Sequence, residues 1–88
     1  MITAAPRELT LSALRIAAEL LRFNPGNGVV DALNIAIECI DITAVDSLTF
    51  EQRRDAFSDA VIALRPHQEI SDRSARLIAA ADALAFAS

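Results

Sequence analysis

Lysine, tryptophan and tyrosine are absent from this chain, and cysteine and histidine occur once each. Without lysine there is no P-loop, whose lysine reaches the phosphates of a bound nucleotide. A single thiol, Cys39, excludes an internal disulfide and a multi-cysteine metal site, and it suits a reducing compartment, so the expected location is cytoplasmic. One cysteine and one histidine do not make a zinc site, and no metal or other cofactor is expected. Long apolar runs are also lacking: none approaches the ~20 residues that span a bilayer. The N-terminal "MITAAPRELT" has no basic region leading into an apolar run, so no secretory signal is read there.

Cations are scarce. Eight arginines face twelve carboxylates, for a net charge of −4. Nonspecific affinity for nucleic acid rests on clustered cations, so the charge argues against it. The acidity is also too mild for a DNA mimic. The quantity in excess is hydrophobicity, with 53% apolar residues and a mean hydropathy of +0.36 in 88 residues. A chain of this size folds as one domain, here residues 1–88, and exposes roughly 5,000 Å² when compact. No repeat, linker or low-complexity tract divides it.

Four segments carry helical periodicity, separated by three breakers. The first spans about 7 to 23, with Pro6 near its first turn and Glu8 and Arg22 placed to complement the helix dipole. "FNPGNG" stops it, and Pro25–Gly26 at the centre of Asn24–Asn27 suits a type II turn. The second spans about 29 to 42. Its "NIAIECIDIT" partly alternates, which is a strand pattern, yet Val30, Leu33, Ile37 and Ile40 follow helical spacing and no second strand is available for pairing. The third spans about 48 to 64, with Phe50, Phe57, Val61 and Leu64 on its stripe and Pro66 at its end. The fourth spans about 71 to 86, with Ser71 as N-cap and Leu77, Ile78, Ala81, Leu84 and Ala85 on its stripe. Short connections favour antiparallel neighbours, so the expected fold is an all-α, compact bundle of about four helices.

Several short patterns point toward chemistry. Asp46-Ser47-Leu48 resembles the tripeptide with which acyl and peptidyl carrier proteins present the serine that accepts phosphopantetheine. That resemblance would make Ser47 the modified residue. It covers three residues: no glycine precedes the motif, and Arg53 and Arg54 stand where carrier partners meet carboxylates. The same stretch is explained as a helix start, with Thr49 and Gln52 forming a capping box. "GNG" follows a helix rather than a strand and reads as a turn. Cys39 lies among isoleucines as a small hydrophobe, and His67 lies in a loop, so no nucleophile–base pair is expected and the chain reads as no enzyme. "EISDRSARLI", with Arg73 and Arg76 outward, has the look of a recognition helix. However, the segment before it exceeds the 3–4 residues of a helix-turn-helix turn. A DNA-binding regulator with a divergent helix-turn-helix is therefore the alternative reading.

The helical wheels locate the surplus apolar residues. On the second helix the polar residues Asp31, Asn34, Glu38 and Asp41 occupy a narrow arc, leaving more apolar surface than one core-facing stripe requires. On the first, Ser12, Arg15, Glu19 and Arg22 share one polar strip between two apolar faces. One of those faces holds Leu9, Ile16, Leu20 and Phe23, the other Leu11, Leu14, Ala18 and Leu21. Four equal helices would each bury one face, so Leu14, Leu21, Ile35 and Ile42 are expected at an intermolecular interface. Symmetric dimers are the commonest outcome of such surplus. The functional expectation is a small adaptor, inhibitor or regulator that binds a protein partner and forms a homodimer.

Overall fold

A computed structural model of the chain describes residues 6–87. Among these residues it is all-α: α1 Pro6–Phe23, α2 Val29–Thr43, α3 Phe50–Leu64 and α4 Arg73–Phe86, with a 3₁₀ turn at Arg65–His67. The isoleucine-rich segment is helical throughout, as its spacing and the lack of a pairing strand predict.

The helix ends follow local chemistry. After α1, the Asn27 N–H donates to the Asn24 carbonyl at 3.1 Å, closing a β-turn. Neither glycine takes positive φ, so this is not the type II turn predicted from Pro25–Gly26. The capping box before α3 is formed as predicted. Thr49 Oγ1 accepts from the Gln52 N–H at 3.0 Å, and Gln52 Oε1 accepts from the Thr49 N–H at 2.8 Å. The cap of α4 is Asp72 rather than Ser71: its carboxylate accepts from the N–H groups of Ser74 and Ala75. A carboxylate is favoured there because it meets both orphan N–H groups and the positive end of the helix dipole.

Helix α1 is the hub. It packs on α2, α3 and α4, whereas α2 and α4 make no substantial contact with each other and α3 touches both. Two polar ties fix α4 antiparallel to α1. Ser74 Oγ donates to the Ala18 carbonyl at 3.0 Å, and the Arg7 guanidinium donates to the Ala85 carbonyl at 3.4 Å. Arg73 also donates to the carbonyls of Asn27 and Pro25, holding the start of α4 on the α1–α2 turn. The Cα framework measures 39 × 29 × 16 Å. Its short dimension is about one helix–helix separation plus two Cα radii, so the molecule is two helices thick.

The core is lined with alanine. Nine of the sixteen buried apolar residues are Ala, and Leu14, Leu33, Leu77 and Thr10 are the largest side chains fully enclosed. Thr10 satisfies its hydroxyl on the Pro6 carbonyl one turn back, at 3.0 Å, so burying it leaves no donor unpaired. Alanines and seven leucines and isoleucines share the interior, and other bulky apolar residues remain outside it. Phe50, Val30 and Ile78, predicted for the stripes of α3, α2 and α4, are exposed, and none of the four phenylalanines is buried.

Candidate interaction surface

Of the four residues predicted for an interface, the structure divides two from two. Leu14 and Leu21 are 0% and 3% exposed and belong to the core, which corrects the expectation for α1. The reason is the hub position of α1. Three neighbours cover it on all sides but one, and its uncovered side is the strip of Glu8, Ser12, Arg15, Glu19 and Arg22. Both apolar faces read from the wheel are thus used internally, except for Phe23 at the end of α1, which is exposed. The premise that each helix buries one face holds only when the helices have equal numbers of neighbours.

Ile35 and Ile42 are 42% and 78% exposed. Both lie on the outer part of α2, away from the buried Ala32, Leu33, Ala36 and Ile37. Val30 near the start of α2 and Val45 just beyond its end are also exposed. Four of the nine large apolar residues left in solvent among the described residues therefore fall within 29–45, on one helix and the loop that follows it. Cys39, half-buried, lies between Ile35 and Ile42 along the helix. Val30 and Val45 were missed from the sequence: the first was placed in the core, and the second lies outside any periodic segment.

The polar groups beside this surface are partly engaged. Arg53 of α3 reaches across to Glu38 at 3.5 Å and to Asp41 at 3.9 Å. The other carboxylate oxygen of Asp41 accepts from the Leu48 N–H at 2.6 Å, tying the loop back to α2. Asp31 and Asp46 are exposed and form no ion pair among the described residues. Between α2 and α3 lies an open groove of about 500 Å³ whose walls include Ile37, Phe50, Phe57 and Arg53. A second groove of about 430 Å³, lined by Thr10, Ile62 and Leu84 among others, opens where the start of α1 meets α3 and the end of α4.

The residues singled out for catalysis are not assembled. Cys39 is on α2 and His67 in the 3₁₀ turn, elements that share no substantial contact. Among the described residues no three His, Cys, Asp or Glu side chains are grouped so as to hold a metal ion. Ser47 is exposed in the loop, but α3 begins only at Phe50 and its cap is Thr49. Arg73 and Arg76 spend their guanidinium groups on backbone carbonyls of the fold, at Asn27 and at Ile70. No described helix is long and apolar enough to cross a membrane. The chain matches no family model, no curated protein and no solved structure.

Proposed function

We propose that the chain is a non-enzymatic protein–protein interaction module of the cytoplasm, an adaptor, inhibitor or regulator, that engages its partner through the outer flank of α2. The observation that carries this reading is the exposure of Ile35 and Ile42, two turns apart on one flank of α2, with Val45 exposed in the loop beyond. Scattered single apolar residues are ordinary on a protein surface, whereas neighbouring ones on the same face of a helix mark an association site. The homodimer expectation loses Leu14 and Leu21, which lie in the core. The DNA-binding alternative is weakened by the engagement of Arg73 and Arg76 in backbone contacts, and the carrier alternative by the distance in sequence of Ser47 from the start of α3.

Affinity capture with the wild-type chain and with the Ile35→Asp/Ile42→Asp variant tests the reading. Ile78→Asp on α4 serves as the control, because Ile78 is 44% exposed and so matches Ile35. A partner that is identified, purified and shown to bind the wild type and Ile78→Asp but not the flank variant is the expected result. A partner that binds all three equally would place the interaction elsewhere and overturn the assignment to α2.

A further inference from the structure

The net charge of the chain is confined to the same stretch that carries the exposed apolar flank. Residues 29–49 hold Asp31, Glu38, Asp41 and Asp46 and no arginine, while the other eight carboxylates of the chain are balanced by its eight arginines. The excess of −4 is therefore local to α2 and its loop. Arg53 partly offsets it from the α3 side, at Glu38 and Asp41. On the outer side, Asp31 and Asp46, near the two ends of this stretch, have no ion-pair partner among the described residues. Glu38, with a side chain still 61% exposed, lies between Ile35 and Ile42 in sequence.

Resting on the interaction reading above, we propose that the α2 flank takes a cationic amphipathic helix of a different protein, its apolar face on Ile35 and Ile42 and its basic residues beside Asp31, Glu38 and Asp46. Two arguments select this occupant. Electrostatic complementarity favours a partner of opposite sign and suppresses partners of like sign. A two-fold contact, in turn, brings the same patch of two subunits together, so a symmetric pairing of this flank joins two surfaces of the same net negative charge. A second copy of the chain is thus disfavoured on this surface by the very charges that attract a basic helix. Helix-in-groove recognition supplies the mode, with apolar anchors at helical spacing meeting an apolar stripe.

The test uses the full chain, labelled with nitrogen-15, and two designed probes of equal length. One is an amphipathic leucine–lysine peptide and the other its leucine–glutamate counterpart, each titrated by NMR at low and at raised salt. The expected result is saturable shifts confined to α2 and the 44–49 loop with the lysine peptide alone. The apparent affinity should fall several-fold as salt screens the charges. Ile35→Ser/Ile42→Ser should weaken binding by about tenfold or more, since two apolar anchors are lost. Ile42→Ser alone guards against instability, because Ile42 is 78% exposed, and Ile78→Ser should bind as the wild type does. Equal binding of the glutamate peptide, shifts spread over the whole surface, or no binding would overturn the proposal. So would a concentration-dependent dimer, seen by sedimentation, that Ile42→Ser abolishes. The two readings fail separately. A natural partner that docks on α2 through a neutral or acidic segment would sink the charge inference alone, and a partner indifferent to Ile35 and Ile42 would sink both.

Discussion

Individual alanines decide how this chain packs. Ala13, Ala17, Ala32, Ala36, Ala60 and Ala80 are wholly buried, and each occupies space that a larger side chain would have to force open. Interiors are close-packed, so added methylenes displace neighbours rather than fill voids. Ala17→Leu on the hub helix should therefore lower stability by at least the ~1–3 kcal/mol typical of overpacking, measured as a shifted denaturant midpoint. Aspartate substitutions separate core from surface in the same way. Leu14→Asp buries a charge without a partner and should abolish the folded state, while Ile35→Asp should leave far-UV dichroism and cooperative melting intact. Collapse of Ile35→Asp to the same degree as Leu14→Asp would mean that Ile35 supports the core.

At the scale of elements, the boundaries were legible where backbone chemistry is local. The Thr49–Gln52 box, the stop at "FNPGNG" and the role of Pro66 were all readable because a cap or a breaker acts within one turn. Ser71 was chosen as the α4 cap where Asp72 performs the task, a one-residue ambiguity between two good capping types. Thr49→Ala should cost ~0.5–2 kcal/mol, whereas Ser47→Ala, outside the box, should change stability by far less. Equal losses from the two substitutions in thermal melts would show that Ser47 shares the capping work. The faces of the helices were less legible than their ends. A wheel says which residues are apolar, not how many neighbours a helix acquires. That number draws both faces of α1 inward, Phe23 apart, and leaves one flank of α2 bare. Hydropathy likewise ranks phenylalanine above alanine for burial, and here close helix approach reversed the order for Phe50 and Ala56.

At the scale of the whole molecule, half of the candidate interface could be read from the sequence. Ile35 and Ile42 lie on the solvent side as the wheel of α2 places them, and Leu14 and Leu21 do not, because position within the bundle is a tertiary property. The hub arrangement also predicts how the molecule comes apart. α4 is tied to α1 at both ends and supplies Leu77, Ala80 and Ala81 to the core. A chain ending at His67 should therefore lose its cooperative thermal transition rather than persist as a stable three-helix remnant. Calorimetry decides this, and a sharp unfolding peak in the truncated chain would show that α4 is peripheral.

The most extensive helix–helix contact among the described residues joins α1 to α4, the first and last of the four described helices in chain order. At roughly 5–20 residues per second, some seconds pass between the emergence of Ala18 and that of Ser74, the residue whose hydroxyl meets its carbonyl. Through that interval the nascent hub helix lacks its principal partner while α2 and α3 are being made. On a polysome, the α4 of a neighbouring chain whose own bundle has not yet closed presents the same surface to the vacant side. The order of translation thus gives domain exchange its opening before the native molecule has closed.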